Sequence, residues 1–207
     1  DAGLTSEALG FGTVGTGAAA FDLTATGNGL SALALVSSLK GEGSFQVDSG
    51  TLSGLDLAAL SDGLQQLEDS QDFASLADAT LTSGATPYSS IAGKIAMTAG
   101  VLRAPDIDVK VDMATVKTAA YADIGRAALD TETTFTLDAP EGAPAATIVF
   151  AGDFSDPERT VNTVDLEAFA GRQLLQKEID AIGGGESSEL QVILDLAEDQ
   201  EAESATP

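Results

Sequence analysis

The chain of 207 residues sets 33 Asp and Glu against nine Lys and Arg, a formal charge of -24 that repels phosphate backbones and anionic lipid headgroups and excludes nucleic acid as a partner. Cys and His are both absent, so disulfides, zinc centres, thiol nucleophiles and imidazole-based triads are excluded by inventory. With 43% hydrophobic residues the chain can collapse around a core, and its length suits one sizeable domain with an appendage.

Residues 1–17 are Gly-rich and read as a flexible lead-in. "GFGTVG" (10–15) has the spacing of a dinucleotide fingerprint, but a strand pattern follows it where a helix is required, so the motif is set aside. From Ala19 to Ala25 the odd positions are apolar while Asp22 and Thr24 are polar, which predicts a strand. A helix over 31–39 follows, with Ser31 as N-cap and Lys40-Gly41 as the closing cation and left-handed C-cap. Ser37 and Lys40 have an S-x-x-K spacing, but neither companion motif of that chemistry occurs.

"GSFQVDSGTLSG" (43–54) predicts a hairpin about Ser49-Gly50. In "LDLAALSDGLQQL" (55–67), Leu57, Leu60, Leu64 and Leu67 form one helical stripe, with Asp56 placed to cap it. Residues 68–86 read as a polar connector with a short helix around Phe73 to Leu76.

From Tyr88 to Phe150 the pattern is that of a meander. Ile91, Ile95 and Met97 share one parity, as do Ile107, Val109, Val111 and Met113, and again Phe135 and Leu137. Lys94, Asp106, Asp108, Lys110, Asp112, Thr134 and Asp138 take the opposite positions. Turns are expected at Ala99-Gly100, Ala104-Pro105, 123–125 and 139–144. Asp106, Asp108 and Asp112 could share a Ca²⁺ ion, although Lys110 sits among them and a solvated sheet face accounts for the same pattern. Gly152 to Pro157 is expected to end the sheet, because Pro157 cannot donate to a ladder.

A helix is predicted over 164–182. Leu166, Phe169 and Ala170 lie on one face and Leu175, Ile179 and Ile182 nearly opposite, so the helix either bends near Gly171, the preferred reading, or is covered on two sides. "GGG" at 183–185 reads as a joint to a last helix with Ser188 and Gln191 in capping-box positions, followed by a disordered acidic tail. The domain proper is thus expected over 18–182. No run of about 18 apolar residues occurs, so no membrane span is expected; the start at Asp1 suggests a piece of a longer protein, and the lack of Cys fits an oxidising compartment.

The succession "LSALALVSSLKGEGSFQVDSGTLSGLDLAAL" (30–60), "YSSIAGKIAMTAGVLRAPDIDVKV" (88–111) and "ATIVFAGDFSDP" (146–157) resembles the C-terminal domain of the AsmA family of AsmA/TamB-like envelope proteins. The resemblance covers roughly residues 16–181. It implies the periplasmic part of a non-enzymatic protein of double-membrane bacteria. Such a protein is anchored in the inner membrane by an N-terminal helix absent here, and acts in outer-membrane assembly through a β groove that carries phospholipid chains. The family has no catalytic signature to transfer, and no cofactor is expected.

The fold class expected is α+β, a curved and mainly antiparallel meander with amphipathic helices on its apolar face. That face, formed by Ile91, Ile95, Met97, Ile107, Val109, Val111, Met113, Phe135 and Leu137, is the candidate site for acyl chains. The remainder of a longer groove protein is the expected partner. The alternative is a secreted or surface β module that binds Ca²⁺ through its acidic faces. A hydrolase using Asp or Glu alone is disfavoured, because so acidic a chain offers carboxylate pairs everywhere.

Overall fold

The computed structural model describes residues 18–182 and the backbone of 15 and 16; the expected joint, last helix and tail lie outside the described residues. The described residues form one unclosed, curled antiparallel sheet of nine strands with four helices. Strand β1 (Gly15–Thr16) and β2 (Ala19–Thr26) both pair with β3 (Lys40–Ser53) and make one interrupted edge. The order then follows the chain through β4 (Ala85–Thr98), β5 (Val101–Lys110), β6 (Ala114–Asp123), β7 (Ala128–Leu137) and β8 (Ala146–Asp153) to β9 (Asp156–Asn162).

A meander has two ends. One holds tight turns: Ala99-Gly100 takes positive φ at both residues, 53° and 76°, the twist-matched geometry of two-residue hairpins. Helix α1 (Ala32–Ser38) lies at this turn end between β2 and β3, and Ser31 Oγ accepts the Ala34 N–H at 3.2 Å. The other end carries α2 (Leu57–Gln66) and α3 (Asp72–Leu81), both inserted between β3 and β4, and then α4 (Val164–Ile182) after β9. Gly54 and Gly84 flank the insertion with φ of 79° and 84°, and the Gly54 N–H donates to the Gly84 carbonyl at 2.9 Å. Backbone turned this sharply is open to glycine at little steric cost.

The Leu stripe of α2 is buried with Asp56 as its cap, Asp56 Oδ1 accepting the Ala59 N–H at 2.9 Å. It packs with Phe73 and Leu81 of α3, Leu166, Phe169 and Ala170 of α4, and Val109, Val116, Phe135, Leu137 and Ile148 of the sheet. Burying each such aliphatic side chain stabilises the fold by about 1.5–3 kcal/mol. Thr86 is the polar anchor of this core, its Oγ1 donating to the Leu55 carbonyl at 2.6 Å and accepting the Leu57 N–H at 3.1 Å.

Five expectations are corrected. Gly41 is not a helix C-cap: α1 ends at Leu39 in extended backbone, and Gly41 lies inside β3 opposite Ala25 and Met97. Ser49-Gly50 is not a turn, because β3 runs unbroken against β4. Ala104-Pro105 is not a turn either; the register slips there, so Pro105 occupies a bulge within β5. The chain turns instead at 111–113, which places Val111 and Met113 between strands. The connector contains all ten residues of α3. Pro157 does not end the sheet, since β9 follows as an edge strand, where a missing N–H is tolerated.

Helix α4 stays helical through Gly171, with Leu166, Phe169 and Ala170 buried on one face and Ile179 on the other. It contacts β8 and α3, and Lys177 Nζ donates to the Gln65 and Leu67 carbonyls at the end of α2, at 3.0 and 3.4 Å. Gly15 and Thr16, assigned to the lead-in, pair with Leu52 and Thr51.

Candidate functional site

Side chains alternate across a strand, so cross-strand register identifies the residues that share the core face. From β2 to β9 this face carries a single charged residue, Arg159. At the helical end it is filled. Val109, Phe135 and Leu137 belong to the packed core, and Ile91, Ile107, Val111 and Met113 are half-buried against it. Seven of the nine sequence-predicted positions therefore meet α2, α3, α4 or their neighbours and face no open groove. Ile95 and Met97 lie nearer the turn end, where the core face continues through Leu102, Ala104, Ala120, Ala122 and Leu129. Met97, Ala104 and Leu129 are buried there outside the helix-covered core.

Arg159 lies on the last strand and closes this face. Its guanidinium donates to the carbonyls of Gly54, at 3.4 Å, and of Leu81, and stands 5.7 Å from the ring centre of Phe150. Desolvation lowers its pKa below the usual guanidinium value. The contact ties β9 to both the start and the end of the helical insertion, which makes the charge structural. The alternation Pro157, Arg159, Val161 was the sequence signal for its inward direction, and it was missed because the sheet was expected to stop at Pro157.

The two edges differ. β9 carries Pro157, which has no N–H, and the charges Asp156, Glu158 and Arg159, features that discourage further pairing. β2 is exposed over all eight residues and has Asp22 as its only charge. Phe21 is 61% exposed and Leu23 47% exposed, and both are of core-face parity. Phe21 stacks on Phe45 with ring centres 6.2 Å apart. Glycines set this packing: a Cβ at Gly93 would meet the Phe45 ring at 2.8 Å, and one at Gly43 would meet the Asp22 carbonyl at 2.3 Å. The sequence pattern gave the right parity for Phe21 and Leu23 but carries no sign that β2 lies at an edge.

The outer face is polar. A shallow open depression of about 810 Å³ at the β2 edge is lined by polar residues of this face, among them Asp22, Lys94, Asp106 and Asp108, together with Phe21 and Phe45. Arg103 stands 5.3 Å from the ring centre of its cross-strand neighbour Tyr121. Asp106 sits in the bulge, Asp108 pairs across from Lys117, and Asp112 lies in the following turn. Among the described residues, no three carboxylates come together as cation ligands, and no helix is long and apolar enough to cross a membrane. No family model matches the chain, and no curated protein or solved structure matches it.

Proposed function

We propose that this chain is the closed end of a longer apolar β groove, a non-enzymatic periplasmic domain of an inner-membrane-anchored envelope protein of the AsmA type. On this reading it serves outer-membrane assembly by handling phospholipid acyl chains. The observation that carries the proposal is the core face. Apart from Arg159 it presents no charge, one end of it is plugged by three helices, and it runs out to β2, which no other described residue covers on its free side and where Phe21 and Leu23 are exposed. A surface of this kind accepts methylene chains without leaving a polar group unpaired.

Because Val109, Phe135 and Leu137 are already covered, acyl chains would meet the turn-end half of the face, around Phe21, Leu23, Ile95 and Leu102. Preceding strands of the same groove would pair with β2. The acidic outer face then needs no ligand and keeps the domain apart from anionic surfaces. Among the described residues, carboxylate geometry gives the rival Ca²⁺ module no support.

The test is extraction of the protein purified from a bacterial envelope with organic solvent. Phospholipid in stoichiometric amount, reduced when Phe21 and Leu23 are both replaced by Ser, supports the reading. Extracts without lipid, from the chain and from any longer form that contains it, would refute it.

A further inference from the structure

Residues 23–39 contain no charged side chain, in a chain of which 20% is charged. This run ends β2, turns, and forms α1. Leu30 is fully exposed, and Leu33 and Leu35 are 67% and 44% exposed. The helix meets the turn end through Val36 and its closing carbonyl, and no residue of α1 is buried. Val36 approaches the turns at Gly100 and Gly125, and the Gly100 N–H donates to the Leu39 carbonyl at 3.2 Å. In helical spacing Leu33 and Leu35 flank Val36, with Ala34 and Ser37 between them on the outer side. Ile124, also exposed, continues the rim, its N–H bonded to the Gly100 carbonyl at 3.0 Å. Of the charges that border it, Asp123 and Arg126 pair with each other at 3.7 Å, and Lys40 follows Leu39 at the end of the run.

A rim that is apolar and uncharged stands out on a molecule of charge -24, and that charge selects its partner. A basic protein is drawn to the acidic faces elsewhere, an acidic protein or nucleic acid is repelled, and a second copy would bring two strongly acidic bodies together. A zwitterionic lipid surface has the remaining complementary chemistry: no net charge, and an apolar zone about 5–10 Å below its surface that a single short helix can reach.

We propose that the α1 rim inserts Leu30, Leu33, Leu35 and Ile124 into the interface of a zwitterionic lipid layer. This contact is independent of whether the sheet carries an acyl chain, so lipid-free extracts would leave it standing and its failure would leave the groove reading intact.

The chain has no Cys, so one introduced thiol carries a polarity-sensitive fluorophore without interference. The 207-residue chain labelled at Leu33→Cys or Ile124→Cys should show a blue shift and a several-fold gain in emission on phosphatidylcholine vesicles. A label at Ser70→Cys, on the exposed link between α2 and α3, should not respond. Replacing half the lipid by phosphatidylglycerol at low salt should weaken the response, and added salt should restore it. With the label at Leu33→Cys, the pair Leu30→Ser and Leu35→Ser should weaken vesicle affinity by about tenfold. The proposal is overturned by no response at the rim, by an equal response at Ser70→Cys, or by affinity indifferent to the serine pair. A rim label already blue-shifted in buffer would also overturn it, since the patch would then be covered by the chain's own termini or by a second copy.

Discussion

Thr86→Val tests whether the helical plug is held by hydrogen bonding as well as by its leucines. Thr86 is 1% exposed, and its hydroxyl serves the Leu55 carbonyl and the Leu57 N–H on either side of the α2 N-cap. Leu57, the first residue of α2, is wholly buried, and first-turn amides have no partner within their helix. Val preserves shape, so little packing changes, but two buried backbone groups lose their partner. Each such group costs about 1–3 kcal/mol, giving a loss of about 2–6 kcal/mol. For a domain of this size that lowers Tm by roughly 4–24 °C. Thr86→Ser keeps both bonds and loses one methyl, at about 0.8 kcal/mol. Urea unfolding should show the midpoint falling in that order with an unchanged slope. A Val variant within about 0.5 kcal/mol of the parent, the level of an indifferent surface change, would refute the argument.

Lys177→Met removes the donor to the Gln65 and Leu67 carbonyls and should cost about 0.3–1 kcal/mol, the range for an exposed cation at a helix C-terminus; equal urea midpoints would contradict this. Asp153 accepts from the Ser155 hydroxyl and then from its backbone N–H, which together hold its carboxyl below the ordinary 3.8. Its contribution to stability is therefore present above that ordinary value and lost as pH falls through the lower folded value. An NMR titration of Ser155→Ala should move the Asp153 midpoint upward, and an unmoved midpoint would show that the hydroxyl is not the cause. Gly43→Ala places a methyl against the Asp22 carbonyl, so amides of residues 19–26 should exchange at least about tenfold faster while β6 and β7 keep their protection. Ca²⁺ and a chelator should give the same melting temperature; a rise of several degrees with the ion would establish a site that the carboxylate geometry does not provide.

Local signals were read correctly where one residue type has one dominant use. Ser31 and Asp56 cap helices, the Leu stripe of α2 is buried, and α4 begins and ends where its apolar spacing does. Parity also placed the core face, because half-buried strands must alternate. Errors fell on glycine and proline, whose roles depend on neighbours distant in sequence. Gly41 serves close approach of β2, with a Cβ there falling 2.3 Å from the Thr24 carbonyl, and is not a left-handed cap. Pro105 and Pro157 are tolerated inside strands because one sits at a bulge and the other at an edge. Thr86 and Tyr88 are buried although their parity is opposite to Ile91, since β4 runs beyond its pairing with β5 and is clothed there by the helices. The core face was half legible: parity gave its apolar residues, but which of them are covered depends on where α2, α3 and α4 fall.

The inequality of the two margins limits how such molecules can associate. A slab with two receptive flanks stacks side by side without end and becomes a fibre, whereas one flank here is sealed by proline, acid and a tethered guanidinium. Among the described residues, lateral growth is therefore favoured from one direction, and copies that join there through their strands close as a pair.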